Sequence, residues 1–298
     1  MNMMSAINPN KIWNFPVEMM PTPNAVTGEP EPDAFQVVRT DTNTVLGHHG
    51  SRYKLVPHDD VVNSIMDAVK ESKITTDYNE PTISVFENGR KMRGEIVFPD
   101  LVVQPQKDDY IQARIVFTNS YDQSWSFFQS VDALRLWCTN GCTTPDAVTR
   151  SRYKHTTFLN VDASAAKIKT GIDHFHTRKD TWQAWMKRTL SDDWVELFFK
   201  KTIAKGFTRQ QSVDNVNQKQ MENLLRLWET EKNQLGNNQW ALYNCLTYWA
   251  THTQDARTPH VQRHNREIQI AKAMTSNHWK SLDTYHNNKT FYGTLDSV

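Results

Sequence analysis

Cysteine is scarce, with three residues in 298, an odd number and too few for a disulfide framework. No apolar run approaches the roughly 18 residues of a membrane span. The first twenty residues, MNMMSAINPNKIWNFPVEMM, hold neither an apolar h-region nor a cleavage motif. Together these absences predict a cytoplasmic protein with no membrane partner. Gly-x-Gly-x-x-Gly, P-loop and nucleophile-elbow patterns are also missing, which argues against nucleotide hydrolysis. Cys138 and Cys142 are separated by three residues where a zinc knuckle has two, and no finger-spaced Cys or His pair follows. Cys245 sits among Leu242, Leu246 and Trp249 and reads as an apolar residue. His260 and His264 lie four apart, but without a metalloprotease glutamate and beside Arg263 and Arg266, which repel a cation. Like His48-His49 and His174-Phe-His176, they read as solvated or nucleic-acid-facing. No metal, cofactor or catalytic residue is expected.

What is present is a charge asymmetry hidden by a net charge of +1. Residues 1–149 carry 12 Lys+Arg against 19 Asp+Glu, and residues 150–298 carry 22 against 14. An acidic half joined to a basic half suits self-assembly or an anionic partner, and it equally suits charges scattered on solvated helix faces.

Patterning predicts an α+β fold: an antiparallel sheet in the first half covered by helices from the second half. The Pro- and acid-rich segment PTPNAVTGEPEPD argues for a flexible tail over 1–34. A single domain over 35–285 follows, sheet-rich over 35–145 and helical over 160–280, with a second tail over 286–298. Phe35, Val37 and Val38 mark a strand, Asp41 to Asn43 a turn, and Val45 to Gly47 a second strand. His58-Asp59-Asp60 caps a helix with Val61, Ile65, Met66 and Val69 on one face. PTISVFENGRKMRGEIVFPD reads as a hairpin turning at Glu87 to Arg90. A second hairpin alternates through Ile111, Ala113, Ile115 and Phe117, loops over Asn119 to Ser124, and returns through Trp125 and Phe127. Its Trp125, Phe127 and Trp137 read as core. A long or broken helix begins at Asp162 or Ser164. Ser191 caps a helix that Gly206 ends, Gln218 to Leu235 forms one that Gly236 stops, and WALYNCLTYWATH and Arg263 to Trp279 supply two more. The acidic pairs Asp59-Asp60, Asp108-Asp109 and Asp192-Asp193 read as caps and solvated charges.

Five stretches in order, LGHHGSRYKLVPHDDVV, FTNSYDQSWSF, LRLWCTNGC, YKHT and QWALYNCLTYWATH, resemble a phage- and plasmid-borne family built on a domain of unknown function, number nine-three-two. The matching positions are Gly50, Tyr53 and Lys54, then Asn119, Ser120, Asp122 and Ser124. Arg135, Cys138 and Asn140 follow, then Lys154, His155 and Thr156, and finally Tyr243, Asn244 and Thr247. The chain departs from the pattern at Tyr121, where the family has His, and at Gln123, where it has Gly. Gly141 and Pro145 also break the helix expected after the Asn. At the level of element order, the family is similar to single-strand annealing proteins of the Rad-fifty-two type, which act as oligomers.

Arg135 lies in a strand run of Leu134, Leu136 and Trp137, so it must pair or face an anion, and Asp122 is a candidate partner. The segment RSRYKHT gathers Arg150, Arg152, Tyr153, Lys154 and His155. Lys167, Lys169, Lys200, Lys201, Lys205 and Arg209 continue the basic excess. Cations interleaved with aromatics are what a single strand needs, because phosphates meet Lys or Arg while bases stack on rings. The leading expectation is therefore a single-stranded DNA-binding protein of a phage or plasmid, annealing strands as a homo-oligomer without nucleotide hydrolysis. A protein-interaction factor acting on host defence or replication is the alternative. An enzyme using Cys138 with His155 comes third.

Overall fold

A computed structural model describes residues 11–72, 78–107, 109–135, 140–142, 150–156, 159–175, 177–204, 216–253 and 259–285. Antiparallel sheets fill the first half of the chain and helices most of the second, an α+β arrangement. Among the described residues no helix is long and apolar enough to cross a membrane. By its internal contacts the chain divides into two compact units, each assembled from several stretches. One holds residues 1–102, 112–132 and 146–175, the other 103–111, 133–145 and 176–298.

The first unit opens with a three-stranded sheet of β1 (Val17–Pro23), β2 (Pro30–Arg39) and β3 (Thr44–Gly50), in the order β1-β2-β3. Proline density argues for a tail here, yet Val17 pairs with Arg39 and Pro23 with Pro30. The strand tolerates its prolines for a simple reason. β1 is an edge strand, where a proline without an N–H sacrifices no ladder bond on the open side, and the register shifts between Pro21 and Pro23. The predicted turn after β2 is present, with Asn43 at φ 53° and Arg39 Nε on Asp41 at 2.7 Å. Helix α1 (His58–Ser72) then buries the expected Val61, Ile65 and Val69 together with Val62, while Met66 is only half-buried.

The second sheet contains β4 (Thr82–Phe86), β5 (Lys91–Gln106), β6 (Asp109–Ser120), β7 (Phe127–Arg135), β8 (Asn140–Cys142) and β9 (Arg150–Tyr153). Its order is β4-β5-β6-β7-β8, with β9 also pairing β7, Phe127 opposite Tyr153 and Ser130 opposite Arg150. Ile111, Ala113, Ile115, Phe117 and Phe127 are fully buried and Trp125 nearly so, while Trp137 lies outside the described residues. Gly94 is required by packing: a Cβ there would fall 2.0 Å from the Phe117 ring. The basic RSRY segment is thus a strand of the sheet.

The helix expected from Asp162 or Ser164 is broken into α2 (Val161–Ala165), α3 (Lys167–Asp173) and α4 (Arg178–Lys187). In the second unit α5 (Asp192–Thr202) carries the predicted Ser191 cap, which accepts from the Trp194 N–H at 3.3 Å. It stops at Thr202, and Gly206 lies outside the described residues. Next, α6 (Gln218–Leu235) ends where Gly236 takes φ 86°, and α7 (Gln239–His252) follows. The single last helix expected is two, α8 (Pro259–Met274) and α9 (Asn277–Tyr285). The break is chemical, since the Ser276 hydroxyl accepts from the Trp279 N–H at 3.2 Å and restarts the chain as a cap.

Arg135 resolves differently from its sequence reading. Its partners are Asp109 at 2.6 Å and Glu231 at 3.6 Å, all three side chains being at least 95% buried. The Trp240 indole N–H also donates to Asp109 at 3.2 Å. Asp109 is therefore a buried counter-ion and not a solvated charge, and Arg135 is unavailable to a nucleic acid. Burial raises the Glu231 carboxyl, against the pull of Arg135. Removing one partner from such a cluster strands the remaining charge in the core, at a cost of about 3–5 kcal/mol. Asp109→Ala is expected to lose that much stability in urea unfolding. Lys169→Ala, which breaks an exposed pair with Asp173, should change it by under about 1 kcal/mol.

Candidate functional site

In the first unit one side chain, Asn119 at the end of β6, joins three segments of the chain. Its amide N–H groups donate to Val56 O at 3.0 Å and to His58 Nδ1 at 2.9 Å, and its carbonyl accepts from His155 Nε2 at 2.6 Å. A carbonyl oxygen can only accept, so the tautomers follow from the network. His58 donates from Nε2 to Gly89 O at 3.0 Å and accepts on Nδ1. His155 carries its proton on Nε2, which leaves a lone pair on Nδ1.

A second set of bonds fixes the loop after β6. Tyr121 stacks on His58 at 4.1 Å, accepts the His58 backbone N–H on its hydroxyl at 2.8 Å, and accepts His49 Nε2 on its carbonyl at 2.6 Å. Gln123 donates to His49 Nδ1 at 2.9 Å. Its backbone adopts φ 57°, a left-handed conformation that glycine takes without strain, which accounts for the glycine of the family pattern at this position. Asp122 closes the loop by accepting from the Ser124 N–H at 3.0 Å and hydroxyl at 2.6 Å. Gly47 makes the approach of the two segments possible, because a Cβ there would lie 2.3 Å from Tyr121 O.

Three rings form a ladder beside this network. Tyr53 stacks on His49 at 3.7 Å and 6°, and on His155 at 5.7 Å and 24°. Tyr53 also packs into a core cluster with Phe15, Val37, Leu46 and Tyr121. Backbone contacts hold the two stretches together: Tyr53 bridges to Thr156, and the Lys54 N–H donates to His155 O at 3.3 Å. The Lys54 ammonium is anchored on Leu159 O at 2.7 Å. The stretches Gly50–Tyr53 and Lys154–Thr156, with Asp33 and Gln123, line a pocket of about 580 Å³. The Tyr53 hydroxyl and His155 Nδ1 are buried and have no hydrogen-bond partner.

Burial sets the charge state of the site. It drives His58 down to about 3 and His155 down to about 4, lowers His49, and raises the Tyr53 hydroxyl. All four are neutral near pH 7. His49 and His155 are thus not solvated, and strand alternation was the available signal: in β3, Leu46, Gly47 and His49 are buried while His48 is exposed. Nothing local in the sequence points to His58, which looks like part of a helix cap.

The other sequence-derived residues separate into groups. Arg152, Tyr153 and Lys154 are exposed in succession at β9, and the Lys167 ammonium lies 6.0 Å from the Tyr153 ring. Arg150 begins β9, and its side chain lies outside the described residues, as do Cys138, Lys205, Arg209 and the side chain of Asn140. Lys169 pairs with Asp173, and Lys200, with Lys201 beside it on α5 of the second unit, pairs with Glu196 at 2.5 Å. Tyr243 and Asn244 are fully buried in that unit, where Asn244 donates to Trp240 O at 2.8 Å. They serve its core, as does Cys245, whose thiol burial holds well above its ordinary range. His264 is buried as well, not solvated.

The structure defines an α+β protein whose first unit presents a pocket built on an Asn-His-Tyr network. A family model described as a domain of unknown function (DUF932) matches residues 45–274, well over half of the chain, and the protein belongs to this family. No curated protein and no solved structure matches it.

Histidines held below their unfolded value near 6.5 make folding sensitive to acid. Below pH 6.5 the unfolded chain takes up protons that the folded site refuses, until about pH 4 for His155 and about pH 3 for His58. Stability is therefore complete above pH 6.5 and falls as the pH drops through that window, by up to about 1.4 kcal/mol per pH unit for each histidine. Urea unfolding at pH 7, 6 and 5 should show this decline, and His155→Gln should make it shallower.

Proposed function

We propose that this protein binds single-stranded nucleic acid, DNA in the first place, along the β9 edge of its second sheet. The observation that carries the reading is the succession Arg152, Tyr153, Lys154. Tyr153 is 38% exposed, an uncommon setting for a large ring, and lies between two cations with Lys167 near its face. Among the described residues, none of Arg152, Lys154 and Lys167 forms an ion pair. Cations without a carboxylate partner answer phosphates, Arg152 giving only its Nε–H to the Ser126 hydroxyl at 3.3 Å, and an exposed ring answers an unstacked base. Among the described residues β9 pairs with β7 alone, and its other edge is where a strand of nucleic acid would lie.

The sheet-then-helix order read from the sequence, which resembles that of single-strand annealing proteins, motivates the further reading that copies of the chain anneal complementary strands. Such a role needs no nucleotide hydrolysis and suits a protein carried by a phage or plasmid. Arg135 is removed from the contact set by its ion pairs.

Anisotropy of a labelled oligonucleotide, titrated at several salt concentrations, tests this. Arg152→Ala with Lys154→Ala should weaken binding to every sequence alike and reduce the slope of log affinity against log salt by about 1.4, roughly 0.7 per contact. Tyr153→Ala should cost about 1–3 kcal/mol of binding and leave the slope unchanged, because stacking releases no counterions. Unchanged affinity and slope in all variants would transfer the β9 surface to a protein partner, the interaction-factor reading.

A further inference from the structure

The pocket beside Tyr53 presents two groups with opposite needs. His155 Nδ1 can only accept, because the Nε2 proton is committed to Asn119 at 2.6 Å. The Tyr53 hydroxyl is a donor in want of an acceptor. Neither has a protein partner, although each belongs to a residue at least 95% buried. Buried polar atoms are paired in the large majority of cases, and an orphan costs about 1–3 kcal/mol. Two orphans on neighbouring stacked rings in the wall of one pocket point to a ligand that both donates and accepts.

The remaining lining gives that ligand its charge. Arg52 and Lys154 line the pocket against the single lining carboxylate of Asp33, and the Asp122 carboxylate that also acts on Tyr53 and His155 has Lys91 at 3.9 Å. Ser51 and Thr156 add hydroxyls. Such a lining suits a small anion, rich in acceptor oxygens, that still carries a hydrogen. A phosphate monoester fits, since its second ionisation lies near pH 6 and its monoanion keeps one P–O–H. A phosphodiester and a sulfate are acceptors only, and either would leave His155 Nδ1 unmet.

We propose that this pocket binds a phosphate monoester as its hydrogen-bearing anion. The P–O–H donates to His155 Nδ1, the Tyr53 hydroxyl donates to a second oxygen, and Arg52 and Lys154 balance the charge. The tautomer that Asn119 imposes selects the ligand, because a His155 protonated on Nδ1 would accept nothing and would not separate phosphate from sulfate. Both orphan atoms are closed to solvent in this structure, so ligand entry displaces a lining side chain, and Arg52 and Lys154 are the exposed cations of that wall. The monoester has two possible sources, a free nucleotide or the phosphorylated end of a bound strand. The second source rests on the β9 reading above, since Lys154 is both the last exposed cation of that segment and part of the pocket wall.

Calorimetry on the full chain near pH 6, with inorganic phosphate and with sulfate as probes, decides the matter. Phosphate is expected to bind at least tenfold more tightly than sulfate. Tyr53→Phe, which keeps the stacked ring and should unfold like the parent, is expected to weaken phosphate binding roughly 10- to 100-fold, the effect of one hydrogen bond to a charged group. Equal affinities for the two anions, binding of neither, or a folded Tyr53→Phe that holds phosphate as tightly as the parent would overturn the proposal. Two oligonucleotides of one sequence, ending in 5′-phosphate or 5′-hydroxyl, and a nucleoside 5′-monophosphate then separate the sources. Preference for the phosphorylated strand, erased by Tyr53→Phe, assigns the pocket to a strand end. Tight mononucleotide binding without that preference assigns it to a free nucleotide. If no oligonucleotide binds while phosphate is still chosen over sulfate, the nucleic-acid reading falls and the pocket assignment stands.

Discussion

The side-chain amide of Asn119 is the junction on which the first unit depends. One planar group reaches the residues entering α1, through Val56 and His58, and the residue that follows the β9 segment, through His155. Both its N–H groups and its carbonyl are used, so no other side chain of this size substitutes for it. An aspartate in its place would offer two acceptors and no donors, leaving Val56 O and His58 Nδ1 unmet. The amide also determines which nitrogen of each histidine carries its proton, a choice that decides what the neighbouring pocket can recognise.

Everything else around Asn119 serves to keep this neutral network dry and in register. Tyr121 covers His58 with its ring and receives the helix backbone with its hydroxyl, while its carbonyl holds His49. Phe15 meets both rings edge-on at 5.8 and 6.2 Å. Gly89 accommodates Phe15, with φ 105° and no Cβ to strike that ring at 2.8 Å. Because the bonds run between neutral groups, salt screens them little, unlike the exposed ion pairs on α3 and α5. The second unit uses the opposite solution, burying Asp109, Arg135 and Glu231 as charges that must stay together.

The departures from the family pattern acquire physical meaning in this setting. Tyr121, where the family has His, supplies both a ring face and a hydroxyl acceptor to the start of α1. Gln123, where the family has Gly, sustains the left-handed backbone and uses its side chain to hold His49. Gly141, which breaks the helix the family pattern has after the Asn, lies with Asn140 in β8, paired to Leu134 and Arg135.

Period and turn chemistry were enough to place most elements, because an alternating strand or a capped amphipathic helix is a local property. The β2-β3 and β4-β5 hairpins, α1, α6 and α7 could all be read this way, as could the burial of Trp125 and Cys245. Locality failed where a residue's meaning came from a distant partner. The prolines of β1 are compatible with a strand only because β2 lies beside them. Asp109 becomes a core charge only because Arg135, 26 positions on, turns toward it. His49, Tyr53 and His58 stand in one stretch of sequence, Asn119 and His155 in two others, and nothing local shows that the five side chains meet. The sequence by itself determined the alternation, the caps and the basic Arg152-Tyr153-Lys154 run. Tertiary structure alone decided that an asparagine should orient two buried histidines beside a tyrosine, since hydrogen bonds between residues 36 to 63 positions apart exist only once the chain has closed around them.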